Sequence, residues 1–526
     1  MLRSALGFRG GVTAPHRIAA MAGQEILNAG GTAVEAIVSA AATIAVVYPH
    51  MNGIGGDAFW LIKFKNQEPI ALSGCGRAAK LATPDWYISS GYKKEIPVRG
   101  GAAALTIPGA VSSWDKALRL KKSNFTIREL LNNAIHYAGH GFAITENQAF
   151  TTENKISELK DIPGFANSFL NSMRPPVSGS KQKQEALKST LTYLGDAGLN
   201  SFYQGDLART HSIFLEKNGS PLRFQDFFEY NAEFEKPIQS KISKGEIFNI
   251  APPTQGITSL MILSMFDRLN IKKLRDYEYL HNLIEITKQA LTLRNSQLAD
   301  PDYMVSDASS WLESDFLGKL LNNIDQKRAS PWPSNSDNGD TVWLGAVDKF
   351  GTVVSFIQSV FWEFGSALTC PETGVFFQNR GAGFSLAEGP NQLQPLKKPL
   401  HTLNPALAVL KDGKVMAFGT MGGDGQPQTQ SAIFSRYTYY NIDLQESITM
   451  PRWLLGRTWG EMDTSLKLER RFSEDLIEKL SALGHKVELI EPFSSLVGHA
   501  GAIVLNSDGL IEGASDPRSD GSALVF

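Results

Sequence analysis

Cysteine is nearly absent: Cys75 and Cys370 are the only two in 526 residues, too few for a disulfide framework or a four-ligand zinc site. An excess of charge of either sign is missing too. Lys plus Arg number 51 against 53 Asp plus Glu, a net charge of -2, and no basic run is long enough to follow a nucleic-acid backbone. Long apolar runs are lacking. The longest, residues 33–47, holds Glu35, Ser39 and Thr43 and falls short of the roughly 20 apolar residues a membrane span needs. Residues 1–10 carry an early Arg3 but no apolar stretch of secretory length. These absences predict a soluble, cytoplasmic protein with neither nucleic acid nor membrane as partner. No set of histidines and carboxylates has metal-ligand spacing, so no metal and no other cofactor is expected.

What is present is apolar substance, 42% of the chain, enough for one large layered core. Residues 15–29 show helical spacing through Ile18, Ala22, Ile26 and Leu27 and stop at Gly30-Gly31, and an alanine-rich helix follows over 32–47. A glycine-rich loop, residues 52–57 (NGIGGD), leads into a strand over 58–64. No Lys-Ser or Lys-Thr pair follows it, which argues against a phosphate loop. Residues 67–72 pair with that strand, residues 108–228 turn mostly helical, and residues 241–250 read as a strand. The first part of the chain is therefore expected to be a strand pair carrying many helices.

The texture changes at residue 341. Residues 331–339 are rich in Pro, Ser, Asn, Asp and Gly, the marks of an exposed loop, while residues 342–347 (VWLGAV) read as a buried strand ended by a turn at 348–351. Three hairpins follow, around the turns at 348–351, 411–413 and 507–509, each containing Asp and closed by Gly. Antiparallel strands covered by helices give an α+β layered fold, one domain with sheets from both halves stacked.

Thr341 stands at the junction of loop and strand. If its Oγ adds to the carbonyl of Asp340, the peptide becomes an ester, and water then frees Thr341 as a new amino terminus; Gly339 supplies the backbone freedom this needs. The freed α-amine titrates near ~8, so it can take the proton of its own hydroxyl at neutral pH. A strand opening needs none of this, so the reading depends on the rest of the chain. Gly422 and Gly423, where a hairpin ends, are the best candidates for donors to an oxyanion. Arg77 and Arg380, each beside a glycine, are candidate anchors for a substrate carboxylate. His401 is a candidate for a substrate oxygen or for steering the nucleophile, and Cys75 is read as packing.

Several motifs in order carry a resemblance: residues 29–36 (AGGTAVEA), 49–59 (PHMNGIGGDAF), 252–256 (PPTQG), Asp340-Thr341, 347–351 (VDKFG), Phe364-Gly365, 419–423 (GTMGG) and 513–518 (GASDPR). The chain resembles the γ-glutamyltransferase family of N-terminal-nucleophile (Ntn) hydrolases over nearly its whole length. The resemblance implies cleavage between Asp340 and Thr341 into a large chain, 1–340, and a small chain, 341–526, folded together as one four-layer αββα sandwich. It makes Gly422 and Gly423 the oxyanion loop and Ser359 the hydroxyl beside the nucleophile. Its partners are then a small-molecule amide substrate and its own second chain, and a homo-oligomer of the two-chain unit is left open.

The departures from that family set a further expectation. Cys75 aligns where γ-glutamyl enzymes place an arginine, with Arg77 two places on; Phe361, Arg380 and Gly383 align with positions that hold an α-amino group, and His401 and Thr402 with a serine pair. A pocket that loses its acceptors and gains Arg380 does not suit an ammonium group. Residues 75–78 (CGRA), 400–405 (LHTLNP) and 422–428 (GGDGQPQ) resemble the oxamate amidohydrolase-like branch of the family. The implied activity is self-processing hydrolysis of an amide in a small carboxylate-bearing substrate, oxamate-like or γ-glutamyl. A glutathione hydrolase or γ-glutamyltransferase proper is the alternative, and an unprocessed binding protein on the same fold is the alternative of another class.

Overall fold

The strand Asp340–Val347 feeds two cores at once. Val342, Leu344 and Ala346 pack into the cluster that contains the alanine-rich helix, whereas Trp343 and Val347 face a second cluster between two sheets. Burial of both faces is what an unbroken apolar run asks for. The computed structural model of the chain describes residues 3–274, 276–332, 340–456 and 465–526, Asp340 through its backbone alone. Gly339 lies outside the described residues.

Two seven-stranded sheets form the centre. In the first, Ser522–Val525, Gly11–Ala14, Asp340–Val347, Val353–Phe361, Asp57–Lys63, Ile70–Gly74 and Glu233–Glu235 lie side by side, each antiparallel to the next. The second runs Ala5–Gly7, Ile511–Ser515, Ala500–Leu505, Val415–Thr420, Ala406–Leu410, Gly245–Asn249 and Ile238–Ile242, again antiparallel throughout. Phe59, Leu61, Trp343 and Ile357 of the first sheet meet Phe248, Leu407, Ala417 and Ile503 of the second in one buried cluster. Helices Arg17–Asn28 and Ala33–Val47 cover the outer face of the first sheet, and Gly256–Leu269 and Gly425–Tyr440 cover that of the second. The layers are therefore αββα.

Local chemistry explains the covering helices. Thr32 closes a reciprocal cap with Glu35, whose Oε2 accepts from Thr32 N at 2.7 Å. Asp348 Oδ2 accepts from Ala33 N at 2.9 Å, placing a carboxylate at the positive end of the same helix. All its residues are buried, and their small side chains allow close approach to both the sheet and the preceding helix.

Each sheet draws strands from both sides of Thr341, and here the expectation of a mere strand pair in the first part is corrected. Residues 1–332 contribute seven strands to these two sheets among those described. Ala5–Gly7, Gly11–Ala14, Glu233–Glu235 and Ile238–Ile242 escaped notice because they are 3 to 5 residues long, too short to show a period. The single strand expected over 241–250 is instead the turn and second arm of a hairpin, Ile238–Ile242 with Gly245–Asn249.

Trp343 locks the two sheets in register. Its ring lies in a hole walled by glycines: a Cβ added at Gly419 would stand 2.2 Å from Trp343 Cδ1, one at Gly501 2.5 Å from Cζ3, and one at Gly345 2.6 Å from Cη2. Its Nε1 donates to Ser355 Oγ at 3.0 Å. Thr341 sits two residues before this anchor.

Candidate active site

Thr341 lies in a β-bulge. Asp340 pairs with Phe361 and Val342 with Gln358, so Ser359 and Val360 together oppose Thr341 alone. Bulges of this kind re-aim a side chain. Ser359 sits directly across the ladder from Asp57, and its Oγ accepts from Phe361 N at 2.8 Å. Phe361 itself has φ +83°, a left-handed conformation that costs an aromatic residue energy and marks the bulge as a constrained site. Thr341 is only 1% exposed in the uncut chain.

Its Oγ1 accepts from Gln426 Nε2 at 3.4 Å. Gln426 is in the first turn of Gly425–Tyr440, immediately after Gly422 and Gly423. These two glycines have φ +117° and +50°, conformations that a side chain would strain. Gly425 N donates to Gly422 O at 2.7 Å and Gln426 N to Gly423 O at 3.1 Å, closing the loop. It is held from outside as well: Gln255 Nε2 donates to Gly423 O and to Thr402 O, both at 2.7 Å, while Arg294 bridges Gln255 Oε1, at 2.6 Å, and the Asp424 carboxylate.

The segment 400–405 forms the next wall. Arg380 Nη1 donates to Thr402 Oγ1 at 3.2 Å, and its guanidinium carbon lies 3.5 Å from the centre of the Phe361 ring. Arg380 is fully buried, and a Cβ at Gly383 would come within 2.5 Å of its Nη2, so Gly383 makes room for the guanidinium. His401 stacks edge-on against Phe59 at 4.7 Å and donates from Nε2 to Asp57 Oδ2 at 3.1 Å. Leu403 N reaches His401 Nδ1 at 3.4 Å, which fixes that tautomer. Burial first and the nearby Arg380 second push the His401 pKa down to about 4 against the pull of Asp57, so the imidazole is neutral at ordinary pH.

Thr341, Ser359, Phe361, Arg380, His401, Thr402 and the Gly422-Gly423 loop are thus brought together through short contacts. Arg77 is not part of this group. Its Nη2 pairs with Glu233 at 3.1 Å and its Nη1 donates to Leu396 O at 3.1 Å, at a half-exposed position. A cavity of about 1070 Å³, lined by Leu6, Leu274, Tyr279, Arg436 and Phe472 among others, contains none of these residues.

Sequence reasoning missed Asp57. This buried carboxylate accepts from Gly76 N, Gly109 N and Gln378 Nε2 on Oδ1 at 2.8 to 3.1 Å, besides His401 on Oδ2. The available signal was an acid at the end of a run of small residues just before a strand. Asp57 also brings Cys75 and His401 close, and His281, Glu285 and His485 gather elsewhere, two clusters invisible to local spacing. In the first, burial and Asp57 raise the Cys75 thiol well above its usual range, against thiolate formation. In the second, His281 Nδ1 and His485 Nε2 share a hydrogen bond of 2.9 Å and Glu285 pairs with Lys288 at 2.6 Å. Both read as satisfied polar clusters.

Two stacked antiparallel sheets covered by helices on both outer faces, with Thr341 near the head of an inner strand, form the αββα sandwich of Ntn hydrolases. The family model described as Gamma-glutamyltranspeptidase matches residues 19–526, and the chain belongs to that family. It is a self-processing amidohydrolase of the family. The oxamate amidohydrolase proenzyme of Klebsiella pneumoniae is 46% identical over the full length of both chains. The glutathione hydrolase-like YwrD proenzyme of Bacillus subtilis is 37% identical, again over the full length of both. Among solved structures, the cephalosporin acylase from Bacillus halodurans superposes with a TM-score of 0.93 at 27% identity, covering 100% of this chain and 97% of that one. No helix among the described residues is long and apolar enough to cross a membrane.

Proposed function

We propose that Thr341 is the nucleophile, freed by cleavage of the Asp340–Thr341 bond, and that the mature two-chain enzyme hydrolyses the amide of a small carboxylate-bearing acid of the oxamate kind. Thr341 Oγ attacks the amide carbonyl while its own α-amine takes the proton. The backbone N–H groups of Gly422 and Gly423 stabilise the oxyanion, and Ser359 supports the nucleophile from across the bulge. The amine returns the proton to the leaving nitrogen, and water then cleaves the acyl ester. Arg380 takes the substrate carboxylate, with Thr402, His401 and Phe361 shaping its surroundings. Arg77, already paired with Glu233, lies at the periphery. The large chain, 1–340, and the small chain, 341–526, stay together because both sheets interleave their strands. Two buried free thiols support a reducing, cytoplasmic setting.

The observation that carries the substrate reading is Arg380, a buried guanidinium stacked on Phe361 and steadied by Thr402 beside the nucleophile's network. A guanidinium presents a planar fork to a carboxylate. A γ-glutamyl substrate also brings an ammonium group, which needs an acceptor; the buried Asp57 carboxylate already accepts four donors. The Klebsiella relative, named as an oxamate amidohydrolase proenzyme, supports the same choice.

The test is twofold. Intact mass of the purified protein should show two chains meeting between Asp340 and Thr341, and Thr341→Ala should remain whole and inactive. Ammonia release from oxamate should exceed release of the aniline from a γ-glutamyl anilide, and Arg380→Ala should raise KM for oxamate by about 100-fold, as loss of a charge-assisted pair of hydrogen bonds implies. Faster turnover of the γ-glutamyl compound would move the enzyme to the glutathione side of the family.

A further inference from the structure

Gln426 touches the reacting oxygen, and its orientation is not free. Its Oε1 accepts from Asn404 N at 3.3 Å and from Asn404 Nδ2 at 3.1 Å, so the amide nitrogen must be the end directed at Thr341 Oγ1, 3.4 Å away. Asn404 is fixed in turn. Its Oδ1 accepts from Ser259 Oγ at 3.0 Å, its Nδ2 also donates to Thr402 O at 3.0 Å, and its carbonyl accepts from Gln430 Nε2 at 2.6 Å. Flipping either amide would set donor against donor or acceptor against acceptor. All of these residues are buried, which makes such a mismatch expensive.

We infer that Gln426 is a catalytic residue of this enzyme: a hydrogen-bond donor held against Thr341 Oγ, with Asn404 as the residue that positions it. The inference rests on Thr341 being the nucleophile. A donor on one lone pair leaves the hydroxyl proton to point elsewhere, toward the base, and steadies the negative charge that builds on Oγ as that proton leaves. The contact already exists in the uncut chain, so the same donor serves the attack on the Asp340 carbonyl and the later attack on substrate. Gln426 neither gains nor loses a proton in either step. Its place in the first turn of the helix that follows Gly422 and Gly423 also couples the nucleophile to the oxyanion loop: a shift of one carries the other.

The experiment compares Gln426→Leu, Gln426→Glu and Asn404→Ala with the parent and with Thr341→Ala, measuring processing rate, kcat and KM for oxamate, and pH profiles. Gln426→Leu is expected to lower kcat by at least about 10-fold with KM little changed; losing one preorganised donor costs about 100-fold or more, and this contact is long. Gln426→Glu keeps the shape but donates only when protonated, so its kcat profile should move to lower pH than the parent's. Asn404→Ala frees the amide to rotate and should show a smaller loss of kcat, again without a KM effect. A merely structural glutamine would lower stability in all three variants and leave the pH profile in place. That result, or parental kcat in Gln426→Leu with Thr341→Ala dead, overturns the inference and leaves the nucleophile standing. An active Thr341→Ala removes both.

Discussion

Replacing Gly419 with alanine tests how tightly the alignment of the two sheets governs the chemistry. The new Cβ would stand 2.2 Å from Trp343 Cδ1, about 1.2 Å inside the 3.4 Å at which ordinary contact begins. The indole has little room to retreat. It presses on the backbone at Gly501 and Gly345 on its other edges, and its Nε1 is tied to Ser355 Oγ. Asp340–Val347 and Val415–Thr420 must therefore separate by about 1 Å. The first strand carries Thr341 as its second residue and the second runs into Gly422 and Gly423. Overpacking of this size costs about 1–3 kcal/mol of stability, within what a large domain tolerates, whereas a displacement of about 1 Å between reacting groups costs on the order of 100-fold in rate. The variant should fold, mature slowly and turn over about 100-fold more slowly, with KM near the parent's. Intact mass over time reads maturation, and initial rates of ammonia release read turnover. Adding Trp343→Phe, which shrinks the ring, should restore part of both. A Gly419→Ala enzyme that matures and turns over at parental rates would refute the argument that this glycine-walled indole sets the distance.

Asp516→Ala should cost about 3–5 kcal/mol, because it strands Arg452 and Arg518, both buried and both paired with that carboxylate; a free energy of unfolding from urea titration lowered by less than a third of that would show the pair to be dispensable. Burial alone would raise the Asp516 pKa, but Arg452, Arg518 and two backbone N–H donors hold it below its usual value. Its contribution is thus present at neutral pH and fades only as pH falls below about 4. Acid should act earlier through buried histidines. Burial pushes His50 and His211 down to about 3, and His16, His401 and His499 down to about 4, from 6.5. The unfolded chain takes up these protons below pH 6.5 and the fold does not, so each costs about 2 kcal/mol by pH 5. Asp226, Glu235 and Asp520, raised by burial, act the other way. Uncut Thr341→Ala should lose most of its urea resistance between pH 7 and 5; a flat midpoint over that range would sink the estimate.

The sequence by itself determined the strand that carries Thr341, the covering helices and the family. A run of Pro, Ser, Asn, Asp and Gly giving way to six apolar residues is a local signal, and so are the capped alanine helix and the glycine pair ahead of Gln426. Each is written in neighbours a few positions apart. What only the tertiary structure decided is who meets whom. Arg77 and Arg380 have the same local appearance, an arginine beside a glycine. One lies against Glu233 and the other is buried on Phe361. Asp57 and His401 are 344 positions apart and share a hydrogen bond, and the four short strands of the first part are strands only through the neighbours that pair with them. Sequence patterns record what a residue needs from adjacent positions, whereas a charge or an amide in the interior is defined by partners that arrive when the sheets stack, and no periodicity encodes those.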